Sequence, residues 1–276
     1  MAAMESYVER PPSPGLAGVV RTVWVQRTGG AAYAQRHLPT GGVEIHFPIG
    51  GRPRFVGPLT GSAVEVIPAR TTVVGVRFHP GAAPPLPVAL DDLVDQRLDL
   101  ADLWGRRVDR LVDVMAGAGT PERALRHLQA HLLHEFRRKS TVDHLVREAV
   151  RALMPWHPVG VDAVATRLAL SASQLRRRCL HAVGTSPKVL QRTLRFQGFL
   201  ALAQAGAPAA GRRGVAGLAV DAGYADQAHL NRECLRLTGL TPRRLLGGAL
   251  DRCACGHEHS ASYRPFLATR DRPPRV

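Results

Sequence analysis

Lysine is almost absent from this chain. Of its 37 basic residues only Lys139 and Lys188 are lysines, and the rest are arginines. A GC-rich coding sequence produces such a bias as readily as a nucleic-acid partner does, so the bias alone excludes nothing. Cysteine is scarce as well. Of four cysteines, Cys179 and Cys234 stand in apolar helical register and read as reduced core thiols, not as a disulfide pair. Aromatic residues make up only 5%, but 45% of the chain is hydrophobic, enough for real cores. No window reaches transmembrane length, and the opening MAAMESYVERPP has no signal-peptide core. A cytoplasmic protein is expected, with no membrane partner. There is no phosphate loop, nucleophile elbow or helical zinc-protease motif. The sequence therefore argues against an enzyme and calls for no cofactor.

Charge is present in excess, and unevenly. The formal net charge is +15. Residues 1–140 carry 17 Lys+Arg against 13 Asp+Glu, a balance of +4; residues 141–276 carry 20 against 9, a balance of +11. A polyanion partner is implied for the second half only.

The halves also differ in period. VVRTVWVQ (19–26), VEIHFPI (43–49), RFVG (54–57), AVEVIPA (63–69) and TVVGVRF (72–78) are short, β-branched and separated by Gly and Pro turns. A small antiparallel barrel or sandwich follows from that spacing. Beyond His79-Pro80-Gly81 the period becomes helical. Residues 99–115 put Leu100, Leu103, Trp104, Val108, Leu111, Val112 and Met115 on one face, and 121–136 follow with Thr120 as N-cap. From about residue 140 everything reads as helix. The expected division is 1–139 for a β-rich effector or dimerisation domain, 140–250 for an all-α domain, and 251–276 for a basic disordered tail. The fold class is α+β.

Within the all-α domain a single device is written twice. QLRRRCLHAVGTSP (174–187) returns as HLNRECLRLTGLTP (229–242). Each copy ends at a glycine suited to a left-handed cap, Gly184 or Gly239. A hydroxyl-proline pair then opens the next helix, Ser186-Pro187 or Thr241-Pro242. Shorter helices, 161–169 and 215–223, precede them, with Ser171 and Asp226 as N-cap candidates. This is helix-turn-helix grammar, stated twice. Leu175, Cys179 and Ala182 should face inward on the first recognition helix, and Leu230, Cys234 and Leu237 on the second. That leaves Ser173, Arg176, Arg177 and Leu180 outward on one, and Gln227, Ala228, Asn231, Arg232 and Leu235 on the other. Gln174 and His229 sit near the groove-facing starts. Arg178, His181 and Arg236 are assigned to phosphates or solvent. Between the units PKVLQRTLRFQGFLALAQA (187–205) reads as one helical strut, followed by a loop at GAPAAGRRG (206–214) that is flexible by composition.

At these residues the chain resembles the AraC/XylS family of bacterial transcriptional regulators. AGYADQAHLNRECLRLTGLTP (222–242) carries the resemblance most specifically, and LALSASQLRRRCLHAVGTSP (168–187) more loosely. The resemblance implies two helix-turn-helix units joined by one helix, sequence-specific binding to double-stranded promoter DNA, and RNA polymerase as a partner. It points to Ser173, Arg176, Arg177, Gln227, Ala228, His229 and Arg232 as base-facing. Ala169 departs from the pattern, standing where a turn glycine is usual; Cys179 and Cys234 stand where aromatics are usual, and Glu233 puts an acid on a basic helix. HLPTGGVEIHF (37–47), FVGPLTG (55–61), VGVRFHPGAAP (74–84) and DLADLWG (99–105) resemble a half-cupin-like sensor domain. That implies an unidentified small-molecule effector and a homodimer through the N-terminal half.

Weaker signals are weighed against plainer ones. His37, Glu44, His46 and His79 suit a metal by type, but the close His-x-His spacing of cupin metal sites is missing, so they read as satisfied or exposed residues. His127, His131 and His134 read as a solvated helix face. Cys253, Cys255, His257 and His259 are zinc-capable groups packed too tightly for common finger patterns, so no metal is assigned. The rival readings are a cupin-like binding or catalytic protein in which DNA contact is secondary, and a protein-interaction scaffold.

Overall fold

A computed structural model describes residues 6–139, 142–205, 208–246 and 260–270, with backbone alone at 208–213, 260 and 265. Eight strands come first: β1 Ser6–Arg10, β2 Val20–Arg27, β3 Tyr33–His37, β4 Glu44–Pro48, β5 Arg54–Val56, β6 Ala63–Ile67, β7 Thr72–Phe78 and β8 Arg97–Asp99. Six of them form an antiparallel sheet in the order β1-β2-β7-β4-β5-β8, and β3 and β6 pair as a separate two-stranded sheet. The expected antiparallel β-domain is present as two sheets.

Alternation along the strands sorts their side chains. Val23 and Val25, Ile45 and Phe47, and Val74 and Val76 form the apolar face of the large sheet. The opposite face carries Thr22, Trp24 and Gln26 of β2, Glu44 and His46 of β4, and Arg77 of β7, matched across the ladders as Thr22↔Arg77, Trp24↔Gly75 and Glu44↔Arg77. Antiparallel sheets commonly leave such a polar face in water. Here it is covered, with Thr22, Trp24, Gln26, Glu44 and His46 all buried.

Helices close the apolar side. Where a single run over 99–115 is expected, Gly105 at φ +62° breaks it into α1 Leu100–Trp104 and α2 Arg107–Ala116. Then comes α3 Pro121–Arg138, whose N-cap Thr120 accepts from the Arg123 N–H. Leu111, Met115, Leu125, Leu128 and Leu132 from these helices join Ile45, Phe47 and Phe78 in one core. Each such fully buried side chain contributes about 1.5–3 kcal/mol.

The second half is helical. It runs α4 His144–Ala152, α5 Val161–Arg167, α6 Ala172–Val183, α7 Pro187–Gln204, α8 Pro208–Asp221, α9 Gln227–Thr238 and α10 Pro242–Arg244. Helix α7 serves two cores. Its first half gives Leu190 and Leu194 to a cluster with Val146, Val164, Leu175, Cys179 and Val183. Its second half gives Phe196, Phe199 and Leu200 to a cluster with Leu218, Tyr224, Leu230, Cys234 and Leu237. The switch from one partner to the other explains why α7 shows a broad apolar stripe.

Three expectations need correction. The segment expected to be a flexible loop at 206–214 is helical in backbone from Pro208, because a first-turn proline and alanines favour helix; the break comes at Gly214, φ +59°. Ala182 does pack against the first helical core but is only half-buried, and Val183, next along the chain, takes the fully buried position on α6. The tail is also not wholly disordered: Ser260–Leu267 forms helix α11, packed against α7, β1 and β2. Phe266 enters the first helical core, and the Trp156 indole donates to Thr269 at 2.9 Å. An apolar anchor inside a polar stretch was enough to order it. Cys253, Cys255, His257 and His259 lie outside the described residues.

Candidate nucleic-acid interface and effector cavity

Each recognition helix is fixed at both ends by its own sequence. In the first unit Ser171 accepts from the Gln174 N–H at 3.2 Å, while the Gln174 side chain accepts from the Ser171 N–H at 2.8 Å. This reciprocal capping satisfies two orphan donors of α6. In the second, Asp226 accepts from the His229 N–H at 2.6 Å. Gly184 and Gly239 close the helices at φ +83° and +71°. The turns between α5 and α6 and between α8 and α9 are built alike, around Ala169 at φ +54° and Gly223 at φ +79°. The alanine that departs from the family pattern thus does hold the left-handed conformation its glycine counterpart adopts freely.

The side chains expected to face DNA lie at the helix starts. Ser173, Gln174, Arg176 and Arg177 are exposed on α6; Gln227, Ala228 and Arg232 are exposed on α9, and His229 and Asn231 are half-buried. Two of these have intramolecular work. Gln174 spends its carbonyl oxygen on the cap, which leaves its amide donors outward. His229 stands edge-on to Tyr224, ring centroids 5.2 Å apart. Arg178, 43% exposed, places its Nη1 2.6 Å from the Asp143 carboxylate. Burial would raise the Asp143 carboxyl, but the Arg178 guanidinium and the N–H groups it caps hold it below the usual range. Glu233 pairs with Arg192 of α7 at 3.2 Å, which accounts for an acid on this helix. Cys179 and Cys234 are fully buried, and desolvation pushes both thiols up to about 12, so neither is a nucleophile.

Between the two sheets lies a cavity of about 440 Å³, lined among others by Trp24, Gln26, His37, His46, Glu65, Ile67 and Val73. Three of its lining residues, His37, His46 and Glu65, meet Arg97 at its wall. His37 Nε2 lies 3.1 Å from Glu65 Oε2; Arg97 Nη2 lies 2.6 Å from the same oxygen and 3.1 Å from His46 Nδ1. Glu44 takes the far nitrogen of His46 at 3.1 Å. Burial would raise the Glu65 carboxyl, but both histidines and Arg97 override it and hold it well below the carboxylate range. His46 is burdened by burial yet raised overall by Glu44 and Glu65, whereas burial lowers His37.

The four residues weighed at first as a metal set are not the ones that converge. His79 lies elsewhere, where burial and then Arg21 lower it to about 4. Glu65 takes its place, so that His37, His46 and Glu65 bring ligand atoms within 4.8 Å of one another. The Arg97 guanidinium sits among those atoms and brings its positive charge to Glu65 and His46. Glu65 and Arg97 were not singled out from sequence. On β6 the two valines point outward, Val64 at 58% and Val66 at 67% exposure, while Glu65 points in beside Ile67. Hydrophobicity assigns the opposite faces.

A second cavity, about 540 Å³, lies between α2 and α3 and is lined by Arg106, Arg107, Arg110, His127, His131 and His134. The three histidines, read as a solvated face, thus border a groove, with His127 and His134 exposed and His131 set 5.5 Å from Trp104.

Two capped helix-turn-helix units on one strut define a DNA-binding protein. Residues 164–247 match the family described as a helix-turn-helix domain, and residues 8–99 match a domain of unknown function (DUF6597). The chain is a DNA-binding transcription regulator whose residues 164–247 form an AraC-type helix-turn-helix domain. No curated protein sequence matches it. Among solved structures it is similar to ToxT from Vibrio cholerae O395, at 10% identity over 88% of this chain and 97% of that one, with a TM-score of 0.45. Unsaturated-fatty-acid-bound wild-type ToxT from Vibrio cholerae strain SCE256 gives 10% identity, 89% and 96% coverage and 0.45. Vibrio cholerae O395 ToxT bound to (E)-4-(8-methylnaphthalen-1-yl)but-3-enoic acid gives 10%, 88%, 98% and 0.46. Among the described residues no helix is long and apolar enough to cross a membrane.

Proposed function

We propose that α6 and α9 enter successive major grooves on one face of promoter DNA. Ser173, Gln174, Arg176 and Arg177 read one half-site, and Gln227, Ala228, His229, Asn231 and Arg232 the other. The observation that carries this reading is the exposure of Arg176, Arg177 and Arg232 on helices whose opposite faces are buried at the two ends of α7. The 18 residues of α7 span about 27 Å at 1.5 Å each, close to the roughly 34 Å between successive grooves. Arginine forks onto guanine and Asn or Gln onto adenine, each good pair giving about 1–3 kcal/mol of discrimination. Ala228 suits a thymine methyl. Because its carbonyl oxygen already accepts from the Ser171 N–H, Gln174 presents its amide donors to the bases.

In this reading residues 1–139 form the effector and dimerisation domain, 140–250 the DNA-binding domain, and the protein works in the cytoplasm with RNA polymerase as partner. It acts by binding, not by catalysis: His37, His46, Glu65 and Arg97 are engaged with one another. The effector is a small molecule held between the sheets. Trp24 lines that cavity and is 3% exposed, and its indole N–H has no acceptor among the described residues. A buried donor without a partner costs about 1–3 kcal/mol, so a ligand with a hydrogen-bond acceptor on an apolar body fits the space.

The test is selection of bound duplexes from a random pool by the purified chain. Two half-sites about one helical turn apart are expected, with affinity falling steeply as salt rises. Arg177→Ala should relax base preference in one half-site and Arg232→Ala in the other. If both weaken every sequence alike, they are phosphate contacts and the groove assignment is wrong.

A further inference from the structure

The polar face of the large sheet continues past the cavity as an unbroken buried path. His46 on the cavity wall meets Glu44 at 3.1 Å, and Glu44 accepts from Arg77 Nε at 2.7 Å. Arg77 Nη1 donates to Glu9 at 3.1 Å and to the Ser262 hydroxyl on α11. Glu9 accepts from the Ser262 N–H at 2.9 Å, and the Ser262 carbonyl accepts from Arg21 Nε at 2.6 Å. Arg21 Nη1 then donates to Gln197 Oε1 of α7 at 3.0 Å, and Gln197 donates onward to the Pro39 carbonyl at 2.8 Å. The Arg21 guanidinium also lies 5.2 Å from the Phe266 ring of α11.

Ser262 is the keystone. One residue offers its N–H, its carbonyl and its hydroxyl to three charged side chains from β1, β2 and β7, while Phe266, a turn further on, fills the core of the first unit. Glu9, Arg21, Glu44, Gln197 and Ser262 are all under 9% exposed. Charges buried this way are held only by good partners, and removing one leaves the others uncompensated. The seat of α11 therefore depends on how Glu44 and Arg77 divide their bonds. Glu44 is the group that also holds the cavity histidine.

We propose that α11 is a latch through which occupancy of the inter-sheet cavity sets the grip of the β-domain on the strut α7. This rests on reading that cavity as the effector site. A ligand group that draws His46 away frees a Glu44 oxygen, and Arg77 redistributes among Glu44, Glu9 and Ser262. Arg21 then holds or loses its bond to the Ser262 carbonyl, and with it the register of Gln197. The two states are α11 docked and α11 released.

The test is amide hydrogen exchange on the full chain, comparing wild type, Glu44→Gln, Ser262→Ala and the double variant. Glu44 makes no hydrogen bond to α7 or α11 among the described residues, yet Glu44→Gln should speed exchange in 187–204 and 260–270 by about tenfold, the size of one lost buried bond. The double variant should be no faster than the faster single one. Effects of Glu44→Gln confined to β4 and β7, or effects of the two substitutions that multiply, overturn the latch. Should Glu44→Gln fail to fold, Ser262→Ala must by reciprocity speed exchange in 44–48, and unchanged exchange there overturns it equally.

Small aromatic carboxylates and their amides, added singly, separate the two layers of the claim. A compound that protects the cavity strands and changes exchange in 260–270 of wild type, but not of Ser262→Ala, supports the latch. One that alters DNA affinity equally in both proteins keeps the effector reading and overturns the latch. Coupled exchange in the variants with no cavity ligand found keeps the latch and removes support for the effector reading.

Discussion

The two helix-turn-helix units share one grammar but not one setting. The first is braced: Asp143 ties it to α4 through Arg178, and its closing glycine is pressed against the β-domain. A Cβ on Gly184 would lie 2.8 Å from the Leu90 carbonyl oxygen and 2.6 Å from Pro58. The second stands freer. A Cβ on Gly239 would meet nothing within 4 Å, and this unit touches the β-domain through Leu38 and through Arg36 and Ser62, the last two on the Thr238 carbonyl. A duplicated motif can thus sit in two settings: one copy is pressed against the β-domain, and the other stands freer of it.

The sharpest way to break that comparison is to put the same methyl on both closing glycines. Gly184→Ala carries the left-handed penalty plus a backbone clash and should cost about 3 kcal/mol; Gly239→Ala carries only the penalty, about 1–2 kcal/mol. Denaturant titration of each variant measures the difference, and equal losses would mean that the first unit is no more tightly held than the second.

The turns give a smaller and opposite pair. Gly223→Ala should lose about 2 kcal/mol, since strain adds to a Cβ placed 2.9 Å from the Pro155 carbonyl oxygen. Ala169→Gly should gain up to about 1 kcal/mol, by releasing strain the family pattern avoids. A thermal shift upward for one and downward for the other checks both. If Ala169→Gly destabilises, the first turn is held by packing that the alanine methyl supplies.

The mildest effect is on pH. His79 sits on the strand exit leading to Gly81, where a Cβ would lie 3.1 Å from Val146 of the first unit. Its folded pKa is depressed to about 4, chiefly by burial. The unfolded chain therefore binds the proton more readily, so this stability is full above about 6.5 and is lost as pH falls from there toward 4. Stability measured across that window should slope downward into acid, with exchange in α6 rising before exchange in α9. His79→Gln should flatten the slope.

Much of this was legible without coordinates, and for local reasons. Ser171 with Gln174, Asp226, Gly184, Gly239 and the two hydroxyl-proline pairs act within one turn of chain, so their spacing alone predicts both units. Leu175 with Cys179 and Leu230 with Cys234 were read correctly as buried because helical period is local too. Glu65 was not, because β6 presents its valines to solvent and its acid to the cavity. Neither was α11, whose order depends on Phe266 finding a core some 70 or more residues back in the chain. The Gly105 break also escaped, since glycine inside an apolar helical pattern is commonly tolerated.

The amino-acid order by itself determined two capped recognition helices, the strut between them and a β-rich partner domain, because caps, left-handed closures and periodicity need only neighbours. Tertiary structure alone decided that the polar face of the sheet would be buried, that His37, His46, Glu65 and Arg97 would meet, and that Ser262 would join Glu9, Arg21 and Arg77. Charges from distant strands are brought within bonding distance only when the whole chain has closed around them, and no spacing rule along the sequence encodes that meeting.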